Sequence, residues 1–359
     1  MKKFFDVLYY AWTIGLKDVR DAFLNRATLV NILVLVGLVF FFYFMSTLRP
    51  FDRRVNVVVL DEGSSSLPLT RTTLRDGAEI NFRTADSRAD LEQRMAYQDL
   101  GIILPKDIDR QVASGNEVTL GGYVHWAKRG QVGELENRYS ALFSELFGIP
   151  VMVVIGDNIL VPKSNALGMA STAAFHIFFA VFWMALTVVP FLIIEERQAK
   201  TMDALLVSPA SPGTVVFGKA IAGFILVTAI AGFSVALNGI YIIHWGWALV
   251  GFILTSLLAI GIALLLGTLI RSPKQITLWI LPVALLFVVP GFFTDEPNLT
   301  PAAKAVMNWL PSVAINRILG LSVSDGAAGS LVGLNLVIAV VAIVIVYTLV
   351  IWQIRRSDR

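Results

Sequence analysis

The residues richest in usable chemistry lie in one run, Glu195-Glu196-Arg197-Gln198-Ala199-Lys200-Thr201-Met202-Asp203-Ala204-Leu205-Leu206-Val207-Ser208-Pro209. Two carboxylates abut an apolar stretch at a helix end, where the dipole disfavours negative charge, so something must compensate them. If the helix continues, Glu196 and Lys200 make a favourable i,i+4 pair. Met202, Leu205 and Leu206 then present an apolar edge that Ser208-Pro209 terminates. That edge is too small to pack alone and suits a docking element for another protein; a solvated loop helix is the plainer alternative. A second run, Gly213-Thr214-Val215-Val216-Phe217-Gly218-Lys219-Ala220, has the G-x-x-x-x-G-K spacing of a phosphate loop. Ala220 replaces the hydroxyl that would hold Mg²⁺, no strand precedes the run and an apolar span follows. Lys219 is therefore read as an interfacial cation anchoring that span.

Other chemistry is thin. With no cysteine, disulfides, thiolate metal sites and Cys nucleophiles are impossible. No Asp or Glu lies inside any long apolar run, whereas ion-coupled carriers use such groups. His176 and His244 read as satisfied side chains rather than relays or ligands. No His–Asp or paired-carboxylate arrangement supports an intramembrane hydrolase. No catalytic residue, metal ligand or cofactor contact is expected in this chain. Phe179, Trp183, Ser234, Asn238 and Asn335 are candidates for lining a path, although helix packing explains them equally well.

The elements that must position these residues are set by composition. The hydrophobic set makes up 56% of 359 residues and charged residues only 15%, against about 25% charged in soluble proteins. The charges concentrate in residues 49–168, which hold 14 Lys/Arg and 16 Asp/Glu. A spanning helix needs about 20 mostly apolar residues, and six runs qualify: 28–48, 169–194, 215–243, 247–270, 275–293 and 331–352. The expected fold is thus an α-helical membrane protein with six transmembrane helices, an N-terminal interfacial helix and a mixed α/β extracytoplasmic domain.

Residues 1–27 form the interfacial helix, with Phe5, Leu8, Trp12, Leu16, Val19 and Phe23 on one face. Residues 28–48 are the first span, uncleaved because the run is too long for a signal peptide and lacks a cleavage site. Residues 49–168 are the domain, with strands at 55–60, 79–83, 100–104, 118–126 and 151–155 and helices at 67–75, 87–98 and 132–147. Residues 169–354 form a five-helix unit and 355–359 a tail. Thirteen basic residues fall in the connections on one side, against Lys304 and Arg317 on the other. Both termini are accordingly expected in the cytoplasm and 49–168 outside a cell membrane. The bases form no stripe, so nucleic acid is not an expected partner.

The run from Glu195-Glu196-Arg197 through Leu205-Leu206-Val207-Ser208-Pro209, continuing to Gly218-Lys219, resembles the signature of the ABC type-2 permease family, the membrane subunits of ATP-binding-cassette exporters. Lys200 stands where that family often has Gly, and Asp203 where it often has Glu. The resemblance extends to the interfacial helix, the insert between the first two spans, and Leu100-Gly101-Ile102-Ile103-Leu104-Pro105 within it. It implies that 195–207 is a coupling helix received by a separate ATPase subunit, with Glu195, Glu196, Arg197, Thr201, Met202, Asp203, Leu205 and Leu206 at the interface. It further implies two ATPase copies that bind ATP and Mg²⁺, no ATPase site in this chain, a second permease subunit, identical or related, and an outer re-entrant segment at 308–321. A receptor or scaffold whose outer domain binds a ligand is the alternative from another class.

Overall fold

The computed structural model describes residues 2–47, 54–63, 65–67, 69, 72–73, 79–163, 170–198, 211–270, 272–293, 300–326 and 331–357. The chain divides into a helical unit (residues 1–44, 172–322 and 328–359) and an inserted unit (residues 45–171 with 323–327).

The inserted unit is a mixed sheet built on β1 (Arg54–Asp61), β2 (Thr72–Thr73), β3 (Glu79–Ala85), β4 (Leu100–Leu104), β5 (Val118–His125), β6 (Val151–Val154) and β7 (Ile159–Leu160). The strand order is β2-β3-β1-β4-β5-β6, with β7 also pairing β5. Strand β1 runs parallel to both β3 and β4, and β5 is antiparallel to β4 but parallel to β6. Alternation sends Val55, Val57 and Val59 to one face and Val58 to the other, so β1 is buried on both sides. The helices here are α3 (Arg88–Arg94), α4 (Ile108–Ser114) and α5 (Val132–Phe147). The first face packs on Leu135, Tyr139 and Phe143 of α5, and the second on Leu91 and Met95.

The five expected strands form, and α5 matches the expected helix at 132–147. The expected helix at 67–75 does not form over its described part. Thr72 and Thr73 instead pair antiparallel with Ile80 and Glu79, as suits β-branched residues.

The edge strand β6 is sealed by α5. Ser144 Oγ accepts the Val151 N–H at 2.8 Å and Ser140 Oγ accepts the Val153 N–H at 2.8 Å. Glu136 Oε1 accepts from Ile155 and Gly156 at 2.7 and 3.0 Å. Four helical residues rise about 6 Å and two strand residues about 6.6 Å, so the two periods stay in step over three contacts.

The helical unit comprises α1 (Lys2–Leu24), α2 (Arg26–Thr47), α6 (Ala170–Val188), α7 (Phe191–Gln198), α8 (Pro212–Leu237), α9 (Trp245–Leu269), α10 (Pro273–Phe292), α11 (Pro301–Met307), α12 (Pro311–Gly320) and α13 (Val332–Ser357). Among the described residues five helices are long and apolar enough to cross a membrane: Ala170–Gln198, Pro212–Leu237, Trp245–Leu269, Pro273–Gly291 and Val332–Arg356. The count reaches six when α1 and α2, bent by 78° at their junction, are taken as one broken pair.

Helix α1 carries three stripes. Ala11, Asp18 and Ala22 are buried, Phe5, Leu8, Trp12, Leu16 and Phe23 are exposed, and the other charged residues take the remaining arc. The buried stripe meets α8 closely, because a Cβ at Gly218 would stand 2.8 Å from the Ala11 carbonyl oxygen and one at Gly15 would stand 3.0 Å from that of Gly218.

One expected boundary moves. The third span ends at Leu237, where Asn238 and a 3-10 turn, Gly239–Tyr241, close the helix before residue 243. The expected span at 275–293 forms as a helix that runs through Pro282 and Pro290 to Phe292. A carbonyl left open there is taken up by Asn316 Nδ2, which donates to Gly291 O at 2.8 Å. Within the expected outer segment, α12 packs against α9, α10 and α13.

A buried charge cluster as candidate functional site

Three consecutive residues at the end of α7 reach three different neighbours. Glu195 Oε1 accepts a hydrogen bond from Asn25 Nδ2, at the elbow between α1 and α2. Glu196 turns inward, with Oε2 2.8 Å from Lys219 Nζ on α8 and Oε1 3.5 Å from Lys17 Nζ on α1. Arg197 Nη1 donates to the Gly267 and Thr268 carbonyl oxygens at 3.3 and 2.9 Å. Those carbonyls belong to the last turn of α9, which has no intrahelical donors left for them. Successive helical side chains point about 100° apart, so a three-residue run at a helix end can face three directions.

Lys219 is the centre of the arrangement. Its ammonium also donates to Asp18 Oδ2 at 3.1 Å and to the Leu192 carbonyl oxygen at 2.7 Å. Lys219 is fully buried, and the Asp18 and Glu196 side chains are 5% and 7% exposed. Two carboxylates against Lys219, with Lys17 at the margin, bring the group to neutrality, the condition for holding charge out of water.

The sequence reading of Lys219 as an interfacial anchor is corrected. It is an interior cation joining α1, α7 and α8. The G-x-x-x-x-G-K run also takes its place: Ser211 caps α8 by accepting the Thr214 N–H at 3.2 Å, and the run forms the first turns of that helix. Gly218 is small because α1 crosses there.

Of the sequence-expected interface residues, Glu195, Glu196 and Arg197 are brought together with α1, α8 and α9. Thr201, Met202, Asp203, Leu205 and Leu206 lie outside the described residues. Among the path candidates, Phe179 and Trp183 are half-buried and stacked at 5.5 Å on α6, continuing a stripe from Phe175. Ser234 is buried and donates to the His176 carbonyl oxygen at 3.4 Å, and Asn238 Nδ2 donates to the Ser234 carbonyl oxygen at 2.8 Å. These polar groups tie α6 to α8. Asn335 is buried on α13.

The residues that sequence reasoning missed are Asp18, Lys17 and Asn25. A signal existed for Asp18, which sits in the otherwise small stripe of Ala11, Gly15 and Ala22 where a solvated charge has no reason to be.

Several long apolar helices, a separate polar domain inserted among them and charge held inside the helical unit define a multi-pass membrane protein. A sequence model of the family described as ABC-2 family transporter protein matches residues 26–352. The chain belongs to that family and is a transport membrane subunit. No curated protein matched the sequence.

Proposed function

We propose that this chain is the permease subunit of an ATP-binding-cassette exporter, moving its substrate outward with work supplied by a separate ATPase. The observation that carries the reading is the three-way attachment of Glu195, Glu196 and Arg197. Residues 199–207 follow directly on a helix end tied to α1, α8 and α9. A push delivered there displaces three helices together, because the ties are short, buried and charge-assisted. Nucleotide binding and hydrolysis in the partner bias the two conformations of the bundle.

In this reading two permease subunits, identical or related, face each other above two ATPase copies that hold ATP and Mg²⁺. Both termini lie in the cytoplasm of a cell-membrane protein, 49–168 lies outside, and α1 rests at the inner surface with Phe5, Trp12 and Leu16 toward lipid. Phe179 and Trp183, with Ser234, Asn238 and Asn335, border the path, and α12 shapes its outer end.

Co-purification and ATP turnover test it. The tagged chain brings down an ATPase whose turnover responds to the permease in liposomes. Glu196→Gln keeps the complex but uncouples turnover from transport, because Lys219 loses one of its two carboxylates. A chain that captures no ATPase, or a Glu196→Gln complex that transports normally, overturns the assignment.

A further inference from the structure

The inserted domain holds a small cavity that neither the charge cluster nor the transport reading uses. Strand β5 ends at His125, whose Nδ1 accepts the Ala127 N–H at 3.1 Å and so caps the following turn. An accepting Nδ1 leaves the ring proton on Nε2. Burial, helped by the Lys128 charge, lowers the His125 pKa to about 4, which keeps the ring neutral near pH 7. His125 is 5% exposed, and its Nε2 is buried without a hydrogen-bond partner. A buried donor without a partner is destabilising, so it calls for an acceptor.

The acceptor's room is adjacent. A cavity of about 40 Å³ is lined by His125 with Met95, Ala96, Leu160 and Pro162, and has Glu92 and Lys163 in its wall. One water needs roughly 10–15 Å³ measured this way, so the space takes a group of a few atoms. Glu92 carries two cationic partners, Arg88 at 3.6 Å and Lys163 at 3.6 Å. Lys163 can therefore turn to an incoming anion while Arg88 keeps Glu92 paired. The wall charges Glu92 and Lys163 cancel, and Arg88 behind Glu92 brings the local sum to one positive charge, which matches a monoanion and leaves a dianionic phosphate short of partners.

We propose that this cavity binds the carboxylate end of a small organic acid, with His125 Nε2–H donating to one oxygen and Lys163 pairing with the other. Met95, Leu160 and Pro162 cover the first carbons of its body. The site belongs to the inserted domain and stands or falls independently of the transport assignment.

The full-length chain in lipid nanodiscs, ¹⁵N-labelled at its three histidines, gives a direct readout. Butyrate shifts one ring resonance saturably, and that resonance is the one His125→Gln removes. Lys163→Ala weakens the titration about tenfold, as loss of a charge-assisted contact does. Ala96→Leu fills the cavity and abolishes the shift while the His125 resonance stays at its neutral position. A tripeptide with a free C-terminus, compared with its amide, separates a peptide source of the carboxylate from a free acid; saturation by either supports the site. A response to 1-butanol equal to that to butyrate, or no saturable shift with any carboxylate, marks a water-filled cavity and overturns the proposal.

Discussion

The Lys219 ammonium stands 2.8 Å from a Glu196 carboxylate oxygen, with the lysine wholly excluded from solvent. These residues belong to helices joined by residues 199–211, and Asp18, 201 positions from Lys219, completes the contact. A buried pair of this kind is a weak source of net stability but a strong source of positional fixity, since breaking it strands a charge.

Lys219→Met is expected to destabilise the protein by about 3–5 kcal/mol, because Asp18 and Glu196 are left buried without their shared cation. Adding Asp18→Asn and Glu196→Gln restores most of the loss. The thermal midpoints of the single and triple variants in detergent check this; a single variant as stable as the parent excludes the clasp.

Gly218→Val should lift α1 from α8, as its Cβ meets the Ala11 carbonyl oxygen at 2.8 Å. Amine-reactive labelling of Lys219 reports the opening. The parent chain leaves Lys219 unlabelled in mass spectrometry and the variant labels it.

Acidification should weaken the inserted domain through His125. Its pKa is about 4 when folded and 6.5 when unfolded, so between those values the unfolded chain binds the extra proton. The contribution is complete above pH 6.5 and is lost progressively as pH falls toward 4, up to about 3 kcal/mol. The charged groups around the ring are Lys128, paired with Asp99 at 3.3 Å, and the Glu92–Lys163 pair. His125→Gln removes this share of the slope, so its melting midpoint changes less between about pH 7.5 and about pH 5 than the parent's.

Ser140→Ala with Ser144→Ala unseals β6. Each lost hydrogen bond costs about 1 kcal/mol, and the freed amides of Val151 and Val153 offer an edge to other chains. Light scattering on gentle warming should show the double variant associating well before the parent.

The parts legible in the sequence were those governed by local periodicity. Strand-like runs marked β4 and β5, a helical run at 132–147 marked α5, and long apolar runs marked the candidate spans. One helix end was harder: Leu237 precedes Asn238 and a 3-10 turn whose residues are as apolar as the span itself. The charge cluster was half visible. Glu195 and Glu196 declared a need for compensation, but the compensating cation came from Lys219, which lies among apolar residues of another helix. Asp18 falls by helical spacing in the stripe of Ala11, Gly15 and Ala22, but the partner that needs it there is 201 positions away. His125 carried no signal, since its importance rests on which nitrogen its own turn consumes.

The fit of α1 against α8 has a rotational consequence. A lipid-bound amphipathic helix is ordinarily free to roll about its long axis as the surface around it changes. Here a single register step would swing Asp18 through about 100° and bring Lys17 or Val19 opposite Lys219. One side chain thus acts as a key in a slot, and the aromatic flank from Phe5 to Phe23 keeps a fixed heading with respect to the helices behind it.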